Sequence, residues 1–207
     1  INGAEDTPVI GGTSTGTVAE DGTLSANGTL TISDVDTSDN PISFPDVAAT
    51  LGDNGYGDFA LTAGTWTYTL NNAHAAVQAL DVGESLTDTH TFTASDGSTQ
   101  AVTITINGTE DAPVIGGTST GTVAEDGTLS ANGTLTISDV DSAETFVAQT
   151  DTAGTYGSFS IATDGSWSYT ASSAHNEFVA GTTYTDSFTV ASADGTESTV
   201  TINILGT

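Results

Sequence analysis

Carboxylates are the abundant reactive groups of this chain. Its 207 residues carry 27 Asp and Glu and three His, with no Lys, Arg, Cys or Met, for a formal net charge of −27. Side chains of this kind can hold hard cations, work as acid–base pairs, or remain as solvated charge in turns. The missing types exclude other chemistry. Without Lys or Arg there is nothing to displace counterions from a nucleic acid or to attract an anionic membrane. Without Cys there is no disulfide and no thiolate metal site. No apolar run approaches the roughly 18 residues of a membrane span, so no membrane insertion is expected.

The histidines do not build a catalytic centre. His90 stands where the second half of the chain has Phe188, which reads as packing, while His74 and His175 open a turn and read as cap or surface residues. There is no His-Glu-x-x-His, and no Ser in a Gly-x-Ser-x-Gly elbow. The expectation is a protein that is not an enzyme. Trp66 and Tyr68 alternate with Thr and recur as Trp167 and Tyr169, the pattern of core aromatics rather than of a sugar platform. Asn27-Gly28, Asn107-Gly108 and Asn132-Gly133 match glycosylation acceptors but read better as Asn-Gly turns.

The elements that must position the carboxylates come from one unit written twice. Pro8 to Asp36 returns unchanged as Pro113 to Asp141, and Tyr56-Gly57, Trp66, Ala73-His74 and Asp96-Gly97 all have later counterparts. The period is that of one ordinary domain. The expected organisation is a first repeat over 1–107, whose residues 1–7 are the remnant of a preceding linker, and a second over 108–207, whose residues 108–112 are the joint. With no initiator Met or leader at Ile1, the chain reads as an internal segment of something longer. Val9 to Ala19 reads as a long first strand and Thr29 to Ser33 as a second. Phe59–Leu61 and Trp66–Leu70 read as a hairpin turning at Ala63-Gly64, with a helical turn near Ala73 to Leu80. Thr87–Ala94 and Ala101–Ile106 form a last hairpin around Asp96-Gly97. Six or seven short strands per repeat predict an all-β fold: two Greek-key β-sandwiches joined end to end.

Strand direction then sorts the acids. A first strand of about 36 Å, at about 3.3 Å per residue, crosses a small domain. Glu20 therefore falls at the far end, with Asp88 at the start of the penultimate strand and with Asp81 and Glu84 as further candidates. The second strand runs back, so Asp34 and Asp36 lie at the near end beside Glu5 and Asp6, with Asp96 in the last hairpin. At the joint of the two repeats the expected metal set is Glu20, Asp88, Asn107, Glu110, Asp111, Asp139, Asp141 and Asp194. Glu5, Asp6, Asp34, Asp36 and Asp96 form an N-terminal half-site, and Glu125 and Asp186 a C-terminal one. Two carboxylates 4 Å apart repel by roughly 4 kcal/mol at an effective dielectric near 20, and no basic residue relieves them. Ca²⁺, with 6–8 oxygen ligands and flexible geometry, suits the set better than Mg²⁺ or a softer metal. The competing reading of any one acid is a turn former; Asp96 and Asp194 could simply satisfy their hairpins.

The order of these motifs resembles a known family. Glu110-Asp111-Ala112-Pro113 leading to Val123-Ala124-Glu125-Asp126 resembles the acidic linker and first strand of cadherin repeats. Asp139-Val140-Asp141 is similar to the cadherin Asp-x-Asp, and Ala94-Ser95-Asp96-Gly97 to its late Ala-x-Asp-x-Gly. The whole chain resembles the VCBS-type tandem repeats of large bacterial RTX adhesins exported by type I secretion. The cadherin Asp-Arg-Glu element has a partial echo in Asp81-Val82-Gly83-Glu84, which the second repeat lacks. The resemblance implies cadherin-like sandwiches, calcium at the joints, and an extracellular, cell-surface location. It also implies an extender that holds an adhesive tip away from the cell for adhesion or biofilm growth. Its expected partners are calcium ions and neighbouring repeats of the same chain, in a monomer. The alternatives are a calcium-dependent carbohydrate- or surface-binding module, and acidity that serves solubility alone.

Overall fold

Hydrophobic residues at every second position of Trp66-Thr67-Tyr68-Thr69-Leu70 face inward and the threonines face solvent, and this alternation builds both halves of the molecule. The computed structural model describes residues 6–36 and 41–207. The chain divides into two compact units, Ile1–Glu110 and Asp111–Thr207.

In unit 1 the strands are β1 (Val9–Gly12), β2 (Thr15–Ala19), β3 (Ser25–Ser33), β4 (Val47–Leu51), β5 (Gly57–Thr62), β6 (Thr65–Leu70), β7 (Ser85–Thr93) and β8 (Thr99–Asn107), with one helical turn, α1 (Ala75–Gln78), before β7. One sheet has the order β1-β3-β6-β5-β4 and the other β2-β8-β7. Between them lie Phe59, Leu61, Trp66, Tyr68, Phe92, Val102, Ile104 and Ile106, all buried. Unit 2 repeats the plan with β9 (Val114–Gly117), β10 (Thr120–Ala124), β11 (Ser130–Ser138), β12 (Gln149–Ala153), β13 (Gly157–Ile161), β14 (Ser166–Ala171), β15 (Thr183–Ala191) and β16 (Glu197–Leu205). Its sheets are β9-β11-β14-β13-β12 and β10-β16-β15, closed on Phe159, Trp167, Tyr169 and Phe188. The fold is thus all-β, two tandem β-sandwiches, as the strand pattern predicts.

Two local readings are corrected, and one pair of strands is added. The first strand is not continuous. β1 pairs antiparallel with β3, the chain then changes sheets, and β2 pairs parallel with β8. Gly12 makes the change at φ +98°, where a Cβ would lie 2.0 Å from the Thr29 carbonyl oxygen. The Trp66 indole N–H donates to the Thr13 carbonyl at 2.6 Å and pins the crossing; Trp167 does the same to Thr118 at 2.7 Å. Second, Asn27-Gly28 and Asn132-Gly133 lie inside β3 and β11, not in turns. The glycine is there because the indole lies against it: a Cβ on Gly28 would sit 2.6 Å from the Trp66 ring. The added strands, β4 and β12, have no alternating signature. They are edge strands, and each carries a register shift, between Val47 and Thr50 and between Gln149 and Thr152. The Ala63-Gly64 turn is as read from sequence, with both residues at positive φ, 48° and 77°, the geometry that matches strand twist in a two-residue hairpin.

Candidate metal centre

In unit 1 the end of β2 carries Glu20 inward. Its backbone N–H donates to the Asn107 carbonyl at 3.1 Å, which continues the parallel pairing with β8 by one residue. The side chain is fully buried; Oε1 accepts from the Thr109 N–H at 3.0 Å and Oε2 from the Gln78 amide at 3.4 Å. Gln78, on α1, and Thr109 are partners that sequence reasoning missed; only their position just before the acidic stretches at Asp81 and Glu110 hints at them. Asp21 follows at φ +48° and exchanges two hydrogen bonds with Asn72. The turn Asp81-Val82-Gly83-Glu84 packs on the same segment, for the Glu84 carbonyl accepts from the Gly108 N–H at 3.1 Å. Glu20, Asp81, Glu84 and Asn107 thus share one pole of this unit.

The counterpart in unit 2 is Glu125, 4% exposed, whose N–H donates to the Leu205 carbonyl at 3.1 Å. Oε1 accepts from the Thr207 N–H at 3.0 Å, whereas Oε2 is buried with no hydrogen-bond partner among the described residues. The unit 2 segment over 172–182 contains no glutamine. Gly83 and Gly181 share positive φ, and the carbonyls of Glu84 and Thr182 accept from Gly108 and Gly206 respectively. On that alignment Val179 and Thr182 stand where unit 1 has Asp81 and Glu84.

At the other pole of each unit the Asp-x-Asp pair folds on the incoming acidic segment. In unit 1 the Asp6 N–H donates to Asp36 Oδ2 at 2.7 Å, and the Asp36 N–H to Asp34 Oδ1 at 2.8 Å. Glu5 lies outside the described residues. In unit 2 the Asp111 N–H donates to Asp141 Oδ2 at 2.9 Å, and the N–H groups of Asp141 and Ser142 donate to Asp139 Oδ1 at 3.3 and 3.2 Å. Asp139 Oδ2 and Asp141 Oδ1 are buried without a donor among the described residues. Burial works against charge on both, but hydrogen bonding by Asp141 and Ser142 leaves Asp139 below the usual carboxylate range, while burial and the neighbouring Asp139 push Asp141 above it. Two anions in one hydrogen-bonded pair, each with a buried oxygen left over, is an all-oxygen donor set with excess negative charge. It fits a hard divalent cation such as Ca²⁺. Glu110 ends unit 1 and Asp111 opens unit 2.

The remaining candidates are differently occupied. Asp96 holds the Ser98 N–H at 2.9 Å and the Ser98 hydroxyl at 2.6 Å, which lowers its pKa. Asp194 accepts from Ser192 and from the Thr196 hydroxyl at 2.8 Å, also a lowering. Both serve their own hairpins in this structure. Asp88 and Asp186 do not lie at a strand start on the pole. Each is the fourth residue of a nine-residue strand and points inward, where Asp88 accepts the N–H groups of Asn54, Tyr56, Gly57 and Thr89 and the Tyr68 hydroxyl. Asp186 accepts from Thr155, Tyr156 and Tyr169. Burial, with the adjacent carboxylate, pushes both tyrosine hydroxyls well above their ordinary pKa. These two acids pin the loop before β5 and β13 onto the second sheet.

The histidines take two unlike roles. His74 is the N-cap of α1, its Nδ1 accepting the Ala76 N–H at 3.2 Å. His175, at φ +45°, lies 3.1 Å from Glu177 through Nδ1 and 2.9 Å from the Tyr156 carbonyl through Nε2, with its ring stacked on Phe178. Ser172 Oγ is 3.3 Å from the same Nε2, but a nitrogen facing a carbonyl donates its proton, so it is no base for the serine. The Tyr156 carbonyl foremost, then Glu177, raise the His175 pKa from its ordinary 6.5. The pairing stabilises unit 2 fully below the unfolded value of about 6.5 and is lost as pH rises through the raised native value. We expect the melting midpoint of unit 2, followed by calorimetry, to fall over that window, and His175→Gln to remove this part of the pH dependence.

Comparison with known proteins follows this architecture. A family model described as bacterial cadherin-like domain matches residues 5–108 and again 110–206. No curated protein matches the chain. Among solved structures, it is similar to protocadherin gamma B2 extracellular cadherin domains 3–6, at 14% identity and TM-score 0.53, covering 97% of this chain and 47% of that one. It is also similar to the protocadherin gammaB7 EC3-6 structure, at 15% identity and TM-score 0.50, covering 98% and 48%. Mouse cadherin-23 EC22-24 has 18% identity, TM-score 0.49 and coverage of 98% and 67%. The chain spans about half the length of the first of these, and the likeness to the protocadherins is one of fold.

Proposed function

This chain belongs to the bacterial cadherin-like domain family, and from that premise we propose that it is a pair of extender repeats of a large secreted bacterial adhesin. Calcium stiffens the joint between consecutive repeats, and the array projects an adhesive tip for attachment or biofilm growth. Cadherin-like domains are typically structural or adhesion modules and generally extracellular, and no helix among the described residues is long and apolar enough to cross a membrane. The observation that carries the reading is the Asp139–Asp141 pair. Two hydrogen-bonded carboxylates each keep a buried oxygen without a donor among the described residues, in a chain that has no Lys or Arg to answer them. Asp139 and Asp141 from one repeat, with Glu20, Asn107, Glu110 and Asp111 from the preceding repeat and the joint, would hold the ion. Bound there, it supplies compensating charge and ties main chain to side chains. Asp96 and Asp194 enter this scheme only as formers of the hairpins beside the Asp-x-Asp pairs.

Extracellular modules bind Ca²⁺ at about 10⁻⁴ to 10⁻³ M. A ligand at 100 times its dissociation constant adds about 2.7 kcal/mol, which raises the midpoint of a domain of this size by about 10 °C or more. Millimolar Ca²⁺ is about one to ten times such a constant and adds about 0.4–1.4 kcal/mol. Calorimetry with and without it, at matched ionic strength, should therefore show a rise of about 2–11 °C in the two-repeat chain, larger at tens of millimolar, and scattering should show a stiffer particle. Asp139→Asn with Asp141→Asn should abolish both responses. A chain whose melting and dimensions ignore calcium is not such a spacer.

A further inference from the structure

Four Asn-Gly pairs lie among the described residues, and their surroundings differ sharply. Asn27-Gly28 and Asn132-Gly133 lie within paired strands with an indole against the glycine. At Asn107-Gly108 the Gly108 N–H is bonded to the Glu84 carbonyl, and its Cα is enclosed so tightly that a Cβ would lie 2.4 Å from the Asp81 carbonyl oxygen. Asn54-Gly55 is the exception. It lies in the β4–β5 connection, Asn54 is exposed, Gly55 has φ +80°, and the nearest atom to a Cβ there would be Leu51 Cδ2 at 3.8 Å. Glycine after asparagine leaves the following peptide nitrogen unhindered and the backbone free to turn.

We infer that Asn54 is a self-modification site: a spontaneous deamidation centre that ages unit 1 and has no counterpart in unit 2. The Gly55 nitrogen attacks Asn54 Cγ and closes a succinimide. The bond from Cγ to the side-chain nitrogen breaks, and ammonia leaves with the proton given up by the Gly55 nitrogen. Water then opens the ring at either carbonyl, yielding aspartate, or isoaspartate whose main chain runs through the former side-chain carbonyl.

The local geometry sets the consequence. Among the described residues one hydrogen bond, from the Gly55 N–H to the Gly52 carbonyl at 3.0 Å, holds the attacking nitrogen, and one from the Asn54 amide to the Thr87 carbonyl at 2.7 Å holds the electrophile. The product replaces that amide donor with a carboxylate facing a carbonyl, next to Asp53 and the buried Asp88. Isoaspartate also lengthens the main chain just before the Tyr56 and Gly57 N–H groups that hold Asp88. In unit 2 the single residue Thr155 occupies the stretch where unit 1 has Asp53-Asn54-Gly55, between the shared pairs Leu51-Gly52/Ala153-Gly154 and Tyr56-Gly57/Tyr156-Gly157.

The test incubates the intact chain in mildly alkaline buffer at body temperature and maps peptides by mass spectrometry over time. Chymotrypsin is the protease, because trypsin has no Lys or Arg to cut. Amide-to-acid conversion and isoaspartate should appear first at Asn54, several-fold ahead of Asn27, Asn107 and Asn132. The unit 1 melting transition should fall in step while that of unit 2 holds. Asn54→Gln should stop both changes, and Asn54→Asp should melt low from the outset. Conversion that is faster at Asn27, Asn107 or Asn132 than at Asn54, or absent at Asn54 while the free peptide of the same sequence reacts, overturns the proposal; the wild-type map decides this without any variant.

Discussion

Asp88→Ala is expected to uncouple the two units in a melting experiment. The substitution leaves four backbone N–H groups and the Tyr68 hydroxyl without their acceptor inside a domain where Asp88 is fully buried. The Gly57 N–H and Tyr68 hydroxyl bonds are buried, and each such donor left unmade costs about 1–3 kcal/mol; the other three are part-buried and cost less, since water can reach them. A loss of about 4 kcal/mol is expected, and in a domain of this size that lowers the midpoint by on the order of 20 °C. Calorimetry should then resolve an early transition from unit 1 and an unchanged one from unit 2. Asp186→Ala should do the reverse with a smaller drop, because Asp186 serves two N–H groups and one hydroxyl. Were Asp88 chiefly a calcium ligand, its loss would matter only with calcium present; as a loop pin, it matters equally in chelator.

These two aspartates also mark where reading the sequence falls short. Period-two alternation in Trp66–Leu70 and the Asp-Gly signal at Asp96-Gly97 report interactions within a few residues, and both hairpins stand where that pattern puts them. The exact recurrence of Pro8–Asp36 makes the tandem plan legible for the same reason. Asp88 alternates correctly too, on the inward face of β7, but parity does not say what fills that face. Its partners come from a loop more than thirty residues away, and the local hint is Gly52, where a Cβ would lie 2.4 Å from the carboxylate. The Asp-x-Asp geometry was more accessible, because Asp34 and Asp36, and Asp139 and Asp141, bond through neighbouring backbone. Thr109 and Gln78 on Glu20 were not, since each reaches it across the fold. β4 and β12 were invisible because a bulged edge strand breaks the alternation that identifies strands.

The sheet change at Gly12 offers a test by sign rather than by size. In a continuous first strand, glycine at position 12 would be a weakness, and Gly12→Ala would stabilise unit 1 by about 0.5–1 kcal/mol. In the switched strand, φ +98° already strains any L side chain, and the new methyl would lie 2.0 Å from the Thr29 carbonyl oxygen and 2.9 Å from its carbon. Neither atom can yield without breaking β3, whose Thr29 carbonyl accepts the Thr13 N–H at 2.8 Å. β1 would have to leave its sheet, taking with it the Thr13 carbonyl that receives the Trp66 indole. The expected effect is therefore a destabilisation of about 3 kcal/mol or more, read as a lower denaturant midpoint for unit 1. Gly117→Ala should repeat it in unit 2, where φ is +85° and the methyl would meet the Thr134 carbonyl oxygen at 2.5 Å. Equal signs at both glycines would trace the duplicated sequence to one duplicated backbone device, and a stabilisation at either would mean that the strand runs through.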